Sequence, residues 1–339
     1  MESTIKDIKK ETGLALSTIS KYLNGGNVRP ENKKKIDEAV RKLDYHPNEM
    51  ARGLITKKTR TVGFVLYDIA GAFGGLLTHY VGDLLRQSGY GMIICDSNND
   101  KAVEEQNIKF LVEKKVDGIL VVPVSTDDGF LETAKRADIP VVTLDRSISG
   151  AQLDCVTIDN VAAAKSAVEY LIDRGHERIA AIFSEEYTGK HRRDGYRRAM
   201  REAGLDIPSE YEYHEKIHSV SLGYNGMKKI LELPKKRQPT AIFMSNYEAA
   251  LGVVMAINEV GIACPEDISL ISFDALTLNL VMKPKMTVMV QPMETIASEA
   301  VRILMSRLGD ESQTALQKVL LYASLSEGDS VRNMRISQS

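Results

Sequence analysis

The stretch "LALSTISKYLNGG" (residues 14–26) decides how the start of the chain is read. Ser17, Ser20, Lys21 and Asn24 recur at spacings of three and four and share one side of a helix, while Ile19 and Leu23 share another. Gly25-Gly26 stops the run. Standing alone, such a segment is a surface helix of a small domain. Its neighbours give it a further role. Ile5, Ile8 and Thr12 form the apolar side of a preceding helix, with Thr4 placed to cap it and Gly13 to end it. After it, "PENKKKIDEAVRKLDY" (30–45) opens on Pro30 and repeats Ile36, Val40 and Leu43 at helical spacing. Two short helices joined by a turn containing Gly, braced by a third, make a helix-turn-helix. The second helix then presents short polar side chains able to reach base edges in a major groove.

Charge supports that placement. The chain's net charge of -2 conceals a split: residues 1–60 hold 14 Lys and Arg against 8 Asp and Glu, a net of +6, which leaves -8 for the rest. A basic head on an acidic body suits a polyanionic partner. The 339 residues suffice for two or three domains with real cores, and 43% hydrophobic with 27% charged residues is ordinary globular composition. No apolar run approaches a bilayer span, and "MESTIKDIKK" lacks the apolar region of a secretory signal. Cys95, Cys155 and Cys264 are odd in number and far apart, which suits buried thiols in a reducing cytoplasm.

Between head and body lies "HPNEMARGLITKKTR" (46–60), where Pro47 can open a helix, Met50, Ala51 and Leu54 share a side, and "TKKTR" reads as a basic linker. From Thr61 the pattern changes to short apolar runs without alternation: "TVGFVL", "GMIICD", "GILVVP", "PVVTLD", "RIAAIF", "AIFMSN" and "ISLISF". Amphipathic stretches such as 103–114, 162–174, 193–203 and 249–260 separate most of them. This is the signature of buried parallel sheets with helical crossovers, here in two α/β subdomains. "TVMVQP" and a helix over 293–307 return the chain to the first subdomain, and the tail "LQKVLLYASLSEGDSV" reads as edge strands of the second.

The chain has no G-x-G-x-x-G, Walker A, H-E-x-x-H or G-x-S-x-G motif, and its six histidines lack metal-ligand spacing. The reading is therefore not an enzyme, and it calls for no cofactor and no metal. Ligands of parallel sheets bind beyond the carboxyl ends of strands, where Asp68, Asp96, Asp145, Asn246 and Asp274 stand. Asp145 and Asp274 also suit a plainer role, capping the turns that follow. Arg192, within "GKHRRDGYRRAM" (189–200), either clamps polar ligand groups or is a solvated charge in a basic run.

These residues together resemble the lac repressor (LacI/GalR) family of bacterial transcription regulators over essentially the whole chain. The carriers are "TIKDIKKETGLALSTISKYLNG" (4–25), "YHPN" (45–48), "ARGL" (51–54), "TRTVGFVL" (59–66) and "VDGILVVP" (116–123). "DCVTIDN", "YLIDRGHERIA", "DGYRRAM", "AIFMSN" and "ISLISFD" follow in order. The resemblance implies an α/β protein: an all-α helix-turn-helix headpiece (1–46), a hinge helix and linker (47–60), and a periplasmic-binding-protein-like core (61–339) with parallel sheets. It divides that core into one subdomain of residues 61–159 with 290–320 and another of 160–289 with 321–339. It further implies a cytoplasmic homodimer on near-palindromic double-stranded operator DNA, with a small sugar-like or sugar-acid effector held between the subdomains and no membrane contact.

Matched residue by residue, Leu16 and Ser17 fall on the family's variable base-reading pair. Thr4, Thr18, Ser20, Lys21, Asn24, Asn48 and Ala51 fall on DNA-contacting positions, and Leu54 on the hinge leucine that wedges into the minor groove. Arg192, Asn246, Tyr247 and Asp274 match effector contacts, with Phe73 and Asp145 as cleft-lining positions. There are departures: Ala15 stands where the family usually has Ser, Lys21 where it has Arg, and Gly71-Ala72 where it has Asn-Pro, while Gly53 lies inside the hinge helix. Tyr247 replaces a common Asp, which trades a hydroxyl acceptor for a stacking face. With Lys190 and Arg192 nearby, the sequence also admits an acidic or phosphorylated ligand. Two rival readings are a solute receptor without DNA and an α/β enzyme with an accessory DNA domain.

Overall fold

A computed structural model describes residues 3–23, 25–45, 58–148, 150–309 and 315–335. The chain divides into two units, Met1–Arg60 and Thr61–Ser339. In the first, helices α1 (Ile5–Thr12), α2 (Leu16–Leu23) and α3 (Pro30–Lys42) close over buried Ile8, Ile19, Ile36 and Ala39, with Ile5, Leu14, Leu23, Val40 and Leu43 around them. Gly13, at φ 68°, ends α1 in the left-handed conformation that lets α2 begin within three residues. The side chain of Asp7 accepts from both the backbone N–H and the hydroxyl of Thr4, at 2.8 and 2.7 Å, and so fixes the start of α1. Asn24 lies outside the described residues, as do Asn48, Ala51 and Leu54 with the hinge helix assigned to those three.

The second unit contains two six-stranded sheets. The first is built from β1 (Thr61–Leu66), β2 (Gly91–Asp96), β3 (Gly118–Val121), β4 (Val141–Leu144), β5 (Asp154–Ile158) and β11 (Lys318–Leu321), in the order β11-β5-β4-β3-β1-β2, and is parallel throughout. The second uses β6 (Ile179–Ser184), β7 (Glu212–Glu215), β8 (Ala241–Met244), β9 (Ser269–Phe273), β10 (Thr287–Val290) and β12 (Ser324–Ser326), in the order β12-β10-β9-β8-β6-β7. The orders are equivalent, except that β12 closes its edge antiparallel.

Alternation along each strand feeds two cores. On the first sheet, Val62, Phe64 and Leu66 face α4 (Ala72–Gln87) and α11 (Met293–Leu308). Val65, Ile119 and Val121 face α5 (Lys101–Glu113) and the short α6 (Glu132–Arg136). On the second sheet, Ala181, Phe183 and Phe243 join α7 (Asn160–Asp173) and α8 (Tyr187–Glu202), while Ile182, Ile242 and Leu270 join α9 (Val220–Leu231) and α10 (Tyr247–Val260). Strands buried on both faces need apolar residues at every position, which is why the sequence shows runs rather than alternation.

The tail departs from the sequence reading. Only β12 joins the second sheet; Lys318–Leu321 pairs with β5 in the first. One carboxylate helps anchor it there. Asp154 takes two bonds from the Arg307 guanidinium at the end of α11, at 2.7 and 2.8 Å, and a third from the Gln317 backbone N–H at 2.8 Å. That ties the segment after α11 to the start of β5. Helix α8 also begins six residues before the amphipathic pattern suggests, so Arg192 lies within it.

Candidate functional site

Two surfaces carry the residues singled out by sequence. The first lies on the N-terminal unit. Ser17, Thr18 and Lys21, one turn apart on α2, line an open polar concavity with Asn27, Val28, Arg29 and Asn32. Leu16 is 37% exposed, whereas Ile19, three residues on, is fully buried. Leu16 is thus no core residue: it projects beside Ser17 from the first turn of α2. Ser20 lies half-buried at the edge of the same helix, and Thr4 is exposed at the start of α1.

The second is a cleft in the larger unit. Phe73, Asp145, Arg192, Asn246, Tyr247 and Asp274 all line it, together with Tyr67, Arg146, Ser184, Thr188, His218, Glu248 and Gln291. The cleft holds about 450 Å3 of unfilled space, open solvent included. Its residues come from strand ends and helix starts of both sheets, the usual place for ligands of parallel α/β folds. Close helix packing sets the wall: at Gly189 a Cβ would lie 2.1 Å from the Ser184 carbonyl oxygen, so only glycine lets the first turn of α8 sit against the end of β6.

Arg192 is 3% exposed, which rules out the solvated-charge reading. Its Nε donates to Asn160 Oδ1 at 2.8 Å and its Nη1 to the Ser245 carbonyl at 2.5 Å, and the guanidinium stacks on Phe273 at 3.8 Å. Burial pulls its pKa down, and Asp274 and Asp145 oppose that pull.

The two strand-end aspartates adopt left-handed backbone, φ 63° at Asp145 and φ 57° at Asp274, a conformation that Asp tolerates better than most residues. Neither follows the turn-capping reading. Asp274 forms no side-chain cap and instead accepts from Gln291, from Nε2 at 2.5 Å and from the backbone N–H at 3.3 Å. Burial raises the pKa of both carboxyls, opposed at Asp274 by Arg192 and Gln291 and at Asp145 by Arg146 and Arg192. Asn246 caps α10, its Oδ1 accepting from the Ala249 N–H at 2.7 Å. Tyr247 follows as the first residue of that helix, and Phe73 packs against Tyr67 with ring centroids 6.3 Å apart.

Several polar atoms of the cleft are buried without a protein hydrogen-bond partner: Asp145 Oδ1, Arg146 Nε and Gln291 Oε1. An unsatisfied buried polar atom costs about 1–3 kcal/mol. Three of them at one cleft point to a ligand that completes them.

Sequence reasoning missed Arg146, His218, Glu186 and Gln291. Arg146 directly follows a strand-end Asp that the sequence marks, and Gln291 directly follows a strand run, so position alone offered a signal for both. His218 and Glu186 had none. Glu104 is also buried, but its carboxylate accepts from the Val124 and Ser125 N–H groups at 2.7 and 3.0 Å, so it braces a loop outside the cleft.

Comparison with known proteins gives these two surfaces a family. Residues 4–48 match the bacterial regulatory proteins of the lacI family, and residues 168–331 match a periplasmic binding protein-like domain. Catabolite control protein A of Priestia megaterium is 34% identical over 316 residues, covering 92% of this chain and 94% of its own. The transcriptional regulator CelR, solved with cellobiose, superposes with a TM-score of 0.72 at 25% identity, over 97% of this chain and 100% of its own. The lac repressor dimer, solved with operator and an anti-inducer, shares the fold with a TM-score of 0.86 at 20% identity, over 98% and 100%. The chain belongs to the lacI family of DNA-binding transcriptional regulators.

Proposed function

We propose that this regulator is a repressor that binds a near-palindromic operator as a homodimer in the cytoplasm, and that a small polyhydroxylated effector in the cleft between its two sheets controls that binding. The observation that carries the reading is the convergence on one cleft of six side chains chosen from sequence, beside buried polar atoms that lack partners. Cellobiose in CelR is a ligand of this chemistry.

In this reading Leu16 and Ser17 meet base edges, Leu16 through a thymine methyl, while Thr4, Thr18, Ser20 and Lys21 meet the backbone. The basic first unit, net +6 over residues 1–60, supplies the electrostatic part. In the cleft, Asp145, Asp274 and Gln291 offer acceptors to hydroxyl groups, with Phe73 and Tyr247 as apolar and aromatic faces. A neutral ligand fits better than the sugar acid or phosphate that the sequence also admits. Arg192 gives its Nε and one Nη1 donor to protein acceptors and its plane to Phe273, and Asp274 and Asp145 offset its charge, so it is not a bare cation in the cleft. Arg146 is likewise flanked by Asp145 and Glu186, both at 3.7 Å.

The test is a thermal-shift screen of neutral sugars against matched sugar acids and sugar phosphates, followed by operator titration with and without the best hit. The neutral set should stabilise the protein. Asp274→Asn should then weaken the response about tenfold to hundredfold, the equivalent of one charge-assisted bond of about 1.5–3 kcal/mol. Operator binding without ligand should be unchanged. An Asp274→Asn protein that responds like the parent would remove the cleft from the mechanism.

A further inference from the structure

One group in the cleft has no place in that reading. His218 lies between β7 and α9, with its side chain 8% exposed. Its backbone N–H donates to Glu186 Oε2 at 2.9 Å, and its Nδ1 pairs with the same oxygen. Glu186, just ahead of α8, belongs to the same side of the cleft. Across it stand residues of the other sheet: Asp68, after β1, whose Oδ2 is 3.7 Å from His218 Nε2, and Tyr67, whose ring meets the imidazole edge-on at 5.3 Å. Arg146, after β4, reaches back across to Glu186 at 3.7 Å. Glu248 on α10 adds a further negative charge near the ring.

We infer that His218 is a proton-controlled clasp between the two subdomains: the imidazolium, anchored to Glu186 on one wall, attracts Asp68 on the other and favours the closed cleft.

The cluster favours the charged ring. A neutral imidazole that donates from Nδ1 to Glu186 turns the lone pair of Nε2 toward a carboxylate; the imidazolium keeps the Nδ1 bond and sets its positive charge 3.7 Å from Asp68. Burial opposes the charge, but the bond to Glu186 and the fields of Glu186 and Glu248 outweigh it, against Arg146, and hold the His218 pKa above its ordinary value. For Glu186, burial raises the pKa, and the His218 bond and charge with Arg146 bring it below the ordinary carboxylate value. The signs follow. A raised histidine pKa contributes stability in full below the unfolded value of about 6.5, lost as pH rises through the folded value. A depressed glutamate pKa contributes above about 4.3, lost as pH falls through its folded value. The clasp is therefore intact near pH 6 and open in alkali. The proposal is independent of any effector, because it concerns the ligand-free protein.

The experiment is a double-mutant cycle on the full chain without ligand, following thermal unfolding of the core at about pH 6 and about pH 9. The variants are Asp68→Asn, His218→Gln and the pair. Asn at 68 keeps an acceptor for the Ala70 N–H, which Asp68 Oδ1 binds at 2.8 Å, and removes only the charge. At the lower pH the pair should lose about 2 °C less than the two single variants added together, and at the higher pH the shifts should simply add. Tyr187→Phe is the control: its hydroxyl also bridges the cleft, 2.7 Å from Ser147 Oγ, through a bond that does not involve His218, so its shift should be equal at both pH values. If His218→Gln does not fold, Asp68→Asn alone decides, through a Tm loss present at the lower pH and absent at the higher. Strict additivity at the lower pH, or equal coupling at both, overturns the clasp.

Discussion

Each wall of the cleft holds one buried arginine stacked on an aromatic ring, and the two differ in how they are satisfied. Arg192, on α8, lies 3.8 Å above Phe273 and bonds to Asn160 and the Ser245 carbonyl, all beside the second sheet. Arg146, after β4, lies 4.1 Å above Tyr67, yet makes one bond of 3.2 Å to the Pro123 carbonyl, and its Nε makes no hydrogen bond, only an ion contact at 3.7 Å to Asp145, with Glu186 at the same distance from Nη2. One arginine is fixed to its wall through two bonds and a stacked ring. The other is held loosely and faces both the opposite wall and the open cleft. The contrast teaches that burial alone does not make a cleft cation structural; hydrogen bonds into its own wall do. It also suggests a division of labour in which the second subdomain carries a preformed frame and the first brings the groups that respond to ligand and closure.

The strongest way to break the contrast is Arg192→Met. Met fills much of the volume but leaves Asn160 and the Ser245 carbonyl without their donor and buried Asp274 without a neighbouring positive charge. Removing one member of a buried charge cluster costs about 3–5 kcal/mol. Urea unfolding of the core should shift by that amount, with m unchanged. A shift no larger than that of the matching Arg146 variant would mean that Arg192 is as weakly tied as Arg146.

How far the sequence disclosed this arrangement depends on periodicity. The first unit was legible in detail because Ile8, Ile19 and Ile36 recur on helical faces, and Gly13 and Pro30 punctuate them. The sheets were legible because β1, β3, β4, β6, β8 and β9 are buried on both faces and read as continuous apolar runs. Strand β7, "EYHE", escaped notice because it is a half-exposed edge with no apolar run, and β11 was misplaced because one carboxylate, Asp154, helps set its partner. In the cleft, the aspartates and Asn246 were visible from position, at strand ends. His218 and Glu186 were not, since their meaning arises only when segments 32 residues apart converge.

Arg146→Met sharpens the comparison from the other side. Its single bond and ion contacts at 3.7 Å predict a stability loss of about 1–3 kcal/mol, short of the Arg192 value. If the cleft is the effector site, the same variant should still weaken the ligand response in operator titration, because Arg146 Nε is a buried donor without a protein hydrogen-bond partner. A core that unfolds as readily as with Arg192→Met would erase the distinction between the two walls.

The smallest effect on stability is expected where the same contrast reappears on α2. Ile19 is fully buried and Leu16 is 37% exposed, one turn apart on a helix of eight residues. Leu16 therefore contributes little to the core, and Leu16→Tyr should change the unfolding free energy by no more than about 0.5 kcal/mol, as surface substitutions do. Its effect should appear in DNA selection. Leucine has no hydrogen-bonding group and can discriminate only through apolar contact such as a thymine methyl, whereas tyrosine adds a donor and acceptor at the same point. Selection from a random duplex pool should therefore recover a different base at one position of each half-site, at a discrimination of about 1–3 kcal/mol per contact. The half-site spacing should be unchanged, because in the proposed homodimer it is set by the pairing of subunits and not by this side chain. Uniform weakening of all sequences would place Leu16 against the phosphate backbone. A protein that melted early would return it to the core, against its exposure.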